Sequence, residues 1–564
     1  MERADEERPL LQAPSQVIEH TSDGSVDVKK QPAVKLSTGN WRACFFILGI
    51  EFSNCVAYFA IATNLVTYLT TVLQESKVTA ARNASAWAGA YFLVPLLGAF
   101  IADAYWGKYW TIVVFLPVYI AGMMIVIILA STTHNGNPHH TVAYLGLYIA
   151  ALGSGIVKPC TFTFGADQFD INDTSERANK GSFFNWYYFV VRTSSLLSGT
   201  VVVWLEDNVG WGIGFAIPTV LVLFSLAGFV VATRLYRFRK MGVSTFTSLF
   251  QVMVATVRKW HLQLPDDSSL LYELTSLTSE ADASHKIIKH TDQFRFFDKA
   301  AILETQSDML HVSSWRLCTV TQVEELKMLL RMFSIWVSFA VFFAVSEQMS
   351  STLVEQGMFM DNRVGTFAIP PASLSTVGVL SVLIWVLIYE TVLVPLARHV
   401  TGMDKGFSQR QRIGIGLALS MLTMVYSALL EMKRLAIAEA NGLTNQNVPV
   451  PMSIIWQVPA YFLQGAADAF GAIGKIEYFY DHAPESMKSL CAAFGQLTIA
   501  SGSYLSALVL GAVAVATTRG GAPGWIPDNL NKGHLDYFFW MMATLSLLSL
   551  VQFLYFSMRH KQMN

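Results

Sequence analysis

The chain repeatedly runs for about 20 residues with few or no charges, the length an α-helix needs to cross a hydrocarbon core. Thr111–Ser131 and Gly212–Thr233 contain neither an acidic nor a basic residue. Other stretches carry one to three ionisable groups and are otherwise apolar. Spans are expected near 42–70, 85–103, 109–131, 142–163, 183–205, 212–234, 330–354, 372–396, 413–431, 453–480, 489–516 and 536–557. In lipid every backbone amide must be satisfied inside its own segment, which makes these spans helices. The expected fold is therefore an all-α membrane protein of twelve transmembrane helices in two six-helix halves. Two such halves with a solute between them are the pattern of a secondary transporter.

This spacing divides the chain into a disordered cytosolic tail (1–40), an N-terminal half (41–236), a cytosolic linker loop (237–328), a C-terminal half (329–557) and a short tail (558–564). The linker is expected to contain amphipathic helix at 244–260. The first forty residues are too polar for a cleavable signal peptide, so the first span is expected to direct insertion. Within that tail, Glu6 stands four residues before Leu10-Leu11, a pattern that can serve as a sorting address to vacuolar or lysosomal membranes.

Composition removes other classes. Only 14% of residues are charged, against about a quarter in soluble domains, while 53% are hydrophobic. A net charge of −1 offers nucleic acid no attraction. Cys44, Cys55, Cys160, Cys318 and Cys491 show no CxxC spacing and read as small core residues. His134, His139 and His140 read as a solvated loop, and no Ser/His/Asp or metal-ligand cluster stands out. An enzyme is not expected, nor a cofactor. Gly153-Ser154-Gly155 lacks the Lys-Ser/Thr of a phosphate loop and reads as helix packing. Asn83-Ala84-Ser85 fits a glycosylation acceptor but lies too near the second span to be used.

Basic residues set the orientation. Lys108, Arg177, Lys180, Arg234, Arg237, Arg239, Lys240, Arg398, Lys405, Arg410, Arg412, Arg559 and Lys561 fall on one side, which places both termini in the cytosol. Lys77, Arg82, Lys433 and Arg434 fall on the other.

Charges inside spans are the informative residues, because each costs about 3 kcal/mol or more unless paired or facing water. They are Glu51, Lys158, Arg192, Glu347, Glu390, Asp468, Lys475 and Glu477. Lys475 and Glu390 sit toward cytosolic span ends and read as structural. Lys158, Arg192 and Asp468 lie deeper and read as cavity residues.

Longer motifs carry a resemblance. Gly98 to Lys108 (GAFIADAYWGK) resembles the loop signature of the major facilitator superfamily, in which the acid pairs across halves. Phe164-Gly-Ala-Asp-Gln-Phe-Asp170, Ser182 to Tyr188 (SFFNWYY), Trp315 to Lys327 and Glu477 to Pro484 (EYFYDHAP) together resemble the proton-dependent oligopeptide transporter family, in its plant nitrate-and-peptide branch. The resemblance runs from about Asp23 to the last span. It implies a major facilitator fold and substrates among di- and tripeptides, nitrate, hormones and specialised metabolites. Lys158 then matches the family's span-four lysine, Asp468 a span-ten glutamate that pairs with it or binds a peptide amine, and Gln348 with Ser350 a polar span-seven face. Ser346 stands where nitrate carriers of the family can hold a histidine, which weakens a nitrate reading.

Two departures bear on coupling. The family's Glu-x-x-Glu-Arg reads Glu51-Phe-Ser-Asn54-Cys55 here, so one carboxylate and the arginine are gone. A cavity asparagine of span five is replaced by Arg192. The expectation is a carrier of di- or tripeptides or another small polar or anionic solute, with weakened proton coupling, in a plasma or vacuolar membrane. A transport-deficient sensor and a nitrate or hormone carrier are the alternatives. Two ion pairs are expected, Lys158–Asp468 in one state of the transport cycle and Glu51–Arg192, with Glu347, Gln348 and Glu477 completing the binding or coupling set.

Overall fold

The computed structural model describes residues 19–75, 77–132, 140–239, 245–265, 271–273, 288, 290–303, 313, 315–364, 367–369, 371–402, 406–484, 487–518, 524–527 and 529–561. The Glu6–Leu11 pattern, His134, His139, Lys240, Lys405 and much of the linker lie outside them, as do the side chains of Lys77, Arg82, Ser85, Arg559 and Lys561.

The first half contains α1 (Asn40–Thr71), α2 (Lys77–Ile101), α3 (Gly107–Thr132), α4 (His140–Ala166), α5 (Thr174–Leu197) continued by α6 (Val203–Asn208), and α7 (Trp211–Val231). Helix α8 (Thr245–Arg258) follows in the linker, where an amphipathic helix was expected. The second half contains α9 (Val320–Glu347), α10 (Thr352–Met358), α11 (Leu374–Ile388) with α12 (Val394–Thr401), α13 (Gln409–Ala440), α14 (Val458–Ala467) with α15 (Ile473–Asp481), α16 (Lys488–Thr517) and α17 (Leu535–Lys561). Single π-helical turns join α5 to α6, α11 to α12 and α14 to α15.

Ten described segments are long and apolar enough to cross a membrane. One of them, Ala86–Ser131, has 46 residues, far more than one crossing needs. Its chain turns at Gly107, whose φ of 75° suits glycine, and each of α2 and α3 has spanning length. Val458–Asp481 is missing from the ten because it carries Asp468, Lys475 and Glu477. With these two adjustments the helices are consistent with the twelve expected.

Helix starts lie further out than hydropathy placed them. Asp173 caps α5 by accepting the N–H of Ser175 at 2.8 Å, and Thr319 with Gln322 and Ser408 with Gln411 form capping boxes on α9 and α13. These caps secure polar first turns that a count of apolar residues omits. Small residues set the packing: a Cβ on Gly153 would stand 2.4 Å from the backbone nitrogen of Tyr119, so α4 lies directly against α3.

Two of the basic residues on the opposite side, Arg434 and Lys433, have local explanations. Arg434 is fully buried and pairs with Glu431 at 2.6 Å, and Lys433 stands over the Trp456 ring at 4.5 Å. Asn83 donates to Glu75 at 3.1 Å and to Tyr144 at 2.7 Å, so the amide that glycosylation would need is engaged.

Residues 19–39 correct the expectation of a disordered tail reaching position 40. Val26 and Phe238 exchange backbone hydrogen bonds of 2.9 and 2.8 Å, and Gly39 donates to Leu235 at 2.7 Å. The N–H and hydroxyl of Ser22 both donate to Asp170 at 2.8 Å, and Lys35 pairs with Asp173. The segment thus straps the α4–α5 turn to the end of α7. Hydropathy does not register it because hydrogen bonds, with little apolar area, hold it.

The hydrogen bond from Lys35, then those from Ser175, hold the Asp173 carboxyl well below the usual carboxylate range. For Asp170, burial opposes ionisation but the donors from Ser22 and Asn172 outweigh it, and its pKa is lowered. Depressed carboxylates contribute stability that is complete above their unfolded value near about 3.9 and is lost as pH falls below it. Limited proteolysis of the strap is therefore expected to be unchanged from about pH 5 to 8 and to accelerate below about pH 4. Acceleration already at pH 6 would contradict this account.

Candidate solute cavity between the halves

Four helices of the first half and four of the second surround a cavity of about 390 Å³. Its wall contains Lys158 from α4, Arg192 from α5, Glu347 from α9, and Asp468 and Lys475 from the α14–α15 helix. Apolar and aromatic side chains make up much of the remaining wall. On the first half, Tyr58 and Tyr91 stack with ring centroids 4.0 Å apart, and the Lys158 ammonium lies 6.0 Å from the Tyr58 ring.

The two expected ion pairs are exchanged in this structure. Lys158 lies 3.7 Å from Glu51 rather than against Asp468, because α1 and α4 are neighbours in the same half. Cys55, one helical turn beyond Glu51, donates its thiol to that carboxylate at 3.1 Å and accepts from Lys158 at 3.4 Å. Thr161 donates to the other oxygen of Glu51 at 2.5 Å. Glu51 is fully buried behind the cavity wall and does not line it.

Arg192 instead bridges the halves. Its guanidinium donates to Asp468 at 2.5 Å and to the hydroxyl of Tyr188 at 2.6 Å, and Tyr188 donates to Asp468 at 3.4 Å. Asp468 opens the π turn of its helix, where the displaced backbone register aims side chains out of the regular face. Gln464, one turn earlier, donates to its second oxygen at 3.3 Å. Arg192 and Tyr188 are four residues apart on α5, so that spacing was the available signal for the missed tyrosine.

Other expected site residues are elsewhere. Asn54 is a strut between α1 and α4, accepting the Ser154 hydroxyl at 2.8 Å. Gln348 turns to α16 and donates to Ser506 at 2.8 Å, whereas Ser346, Glu347 and Ser350 face the cavity. Successive helical residues are rotated by about 100°, so one position separates these two faces. Glu347 accepts the Ser503 hydroxyl at 2.7 Å. Glu477 stands beyond the cavity, 3.7 Å from Arg412. Lys475, read from the sequence as structural, lines the cavity.

Toward the end of the bundle where α1 begins and α17 ends, hydrogen bonds and ion pairs join the halves. Lys180 pairs with Asp481 at 2.7 Å, Asn185 donates to Glu390 at 2.6 Å, and Arg412 donates to Asn185 at 2.5 Å. Tyr480 donates to Asp167 at 2.5 Å, and Leu490 N–H donates to Asp103 at 3.1 Å. Asp103 is the acid of the GAFIADAYWGK motif, and its contact does cross halves. Asp167 also accepts from Lys108 and faces Arg239 at 3.3 Å. Burial opposes its ionisation, but Lys108, Arg239 and Lys488 win, and its pKa is lowered.

Comparison with known proteins places these features. The chain is 47% identical to Protein NRT1/ PTR FAMILY 8.3 of Arabidopsis thaliana, covering 99% of this chain and 98% of that one. Among solved structures, the POT family transporter PepTSo covers 93% of this chain and 99% of its own at a TM-score of 0.59 and 19% identity. A POT family transporter in complex with 5-aminolevulinic acid covers 92% of this chain and 96% of its own at a TM-score of 0.56 and 14% identity. Both of these likenesses concern the fold. Residues 109–526 match the family described as PTR2, POT family. With that match and a near full-length relative approaching half identity, the chain belongs to the POT family of membrane transporters.

Proposed function

We propose that this transporter carries short zwitterionic or anionic solutes, di- and tripeptides foremost, by alternating access of the cavity between the halves. The observation that carries this reading is the cavity wall, which holds three cations and two carboxylates, with Arg192 and Asp468 paired across the halves and Lys158, Glu347 and Lys475 around them. Such a wall suits a solute with an ammonium and a carboxylate. 5-Aminolevulinic acid, held by a solved member of the fold, is a molecule of that kind. Basic-residue bias assigns the closed end to the cytosol, so the cavity in this conformation serves the opposite side.

Coupling follows from the residues behind that wall. Asn54 cannot titrate and Cys55 has no positive charge, so among the described residues Lys158 is the cation within ion-pair distance of Glu51. Weak dependence on a proton gradient is the expected consequence. Purified protein in liposomes, offered a peptide and organic-anion panel with and without an imposed proton gradient, tests both statements. Strong uphill uptake driven by the gradient would refute the coupling claim. Ligand binding without flux would favour the second reading, a sensor, which the altered span-one residues keep in view.

Arg192→Asn tests the selectivity. Losing a charge-assisted contact is expected to raise KM for anionic solutes by about tenfold or more, with neutral solutes little changed. Equal loss for both classes would make Arg192 a structural counter-ion of Asp468.

A further inference from the structure

Lys475 is the cavity cation that, among the described residues, has no carboxylate within ion-pair distance. Its side chain is buried, and Nζ donates to the Gly495 carbonyl at 3.0 Å and to the Thr498 hydroxyl at 2.9 Å, both neutral acceptors on α16. The ammonium stands 4.3 Å from the centroid of the Phe343 ring and 5.9 Å from that of Phe339. Among the described residues, no carboxylate oxygen lies within the 4.0 Å of an ion pair with it, whereas Arg192 has Asp468 and Lys158 has Glu51. Two ring faces and two dipoles stabilise a cation only partly, so an anion entering the cavity finds its least satisfied partner here.

The position also sets a length. Lys475 follows Asp468 by seven residues, about 10 Å along a helix axis at 1.5 Å per residue. An extended chain spans about 3.3–3.6 Å per residue, so three residues cover the same distance. We propose that Lys475 anchors the anionic end of a solute whose other polar end engages the Arg192–Asp468 pair. The preferred class is then a tripeptide-sized zwitterion or a conjugate with a remote carboxylate. This assignment rests on the carrier reading given above. It makes Lys475 a specificity determinant, not merely a tie between α15 and α16.

The test compares an extended tripeptide with a free C-terminal carboxylate against its C-terminal amide, in liposomes holding wild type, Lys475→Gln or Lys475→Arg. Wild type is expected to favour the free acid. Lys475→Gln is expected to raise KM for the acid by about tenfold or more while leaving that for the amide nearly unchanged. Lys475→Arg, which keeps the charge, is expected to keep the preference. Should the glutamine variant fail to fold, Lys475→Met keeps an unbranched stem against Phe343 and makes the same comparison. A neutral variant that retains the preference, or loses acid and amide uptake equally, overturns the proposal, as does a wild type indifferent to the two peptides. No wild-type uptake of either peptide would overturn the peptide-carrier reading and this assignment with it.

Discussion

Lys158→Ala is expected to lower solute uptake by about a hundredfold. Glu51 is fully buried, and among the described residues Lys158 is its one cation within ion-pair distance. Removing the lysine leaves a carboxylate held by a threonine hydroxyl and a thiol, in a site where an uncompensated charge costs about 3 kcal/mol or more. At about 1.4 kcal/mol per tenfold, that is roughly two orders of magnitude in the population of competent conformations. A double variant, Lys158→Met with Glu51→Gln, removes both charges and should recover expression and thermal stability without recovering uptake. Initial rates in liposomes, with detergent-phase melting as the folding control, check both parts. Near-normal uptake by Lys158→Ala would remove both residues from the transport machinery.

Arg434→Ala is expected to produce the largest loss of stability among single substitutions of ion-paired residues. The guanidinium donates to Glu431 at 2.8 and 2.6 Å, to Asn531 at 2.6 Å and to the Leu530 carbonyl at 3.1 Å. Gln356 from α10 donates to the same glutamate at 2.8 Å. One side chain thereby ties α13 to the segment that enters α17, with no exposure to solvent. Truncation strands the Glu431 carboxylate and orphans two acceptors, a cost of about 3–5 kcal/mol. The melting temperature should fall by several degrees, and Glu431→Gln combined with Arg434→Met should restore part of it. An unchanged melting temperature would show that water or a neighbouring group replaces the guanidinium.

Much of the fold was legible because a bilayer imposes one length and one polarity on every crossing. The exceptions have physical causes. Val458–Asp481 passes as a span only when its charges are understood as facing a cavity, and Ala86–Ser131 resolves into two helices only at Gly107. The site was legible as a set of charges but not as a set of pairs. A sequence reports which residues share a helix face and is silent on which helices are neighbours, so Lys158 and Arg192 were each assigned the other's partner. Lys475 was read as structural because it stands within two turns of the expected span end, and hydropathy does not report how far a cavity reaches along a helix. Gln348 was misplaced by a single position on α9, whose two faces differ by one step of rotation. Residues 19–39 escaped notice because hydropathy is blind to a segment held by hydrogen bonds.

That strap has a practical consequence for anyone handling the gene. Asp23 faces Arg239 at 3.7 Å, Arg239 faces Asp167 at 3.3 Å, and Asp167 accepts from Tyr480 of the opposite half. Trimming the chain to its first helix, the natural cut for someone discarding a floppy leader, would therefore delete the outermost link of the closed end. A clone shortened in this way is expected to rest more often with that door ajar. A fluorophore attached just before Glu19 in the full-length chain would leave every one of these contacts in place and would sit where the door's movement can be watched.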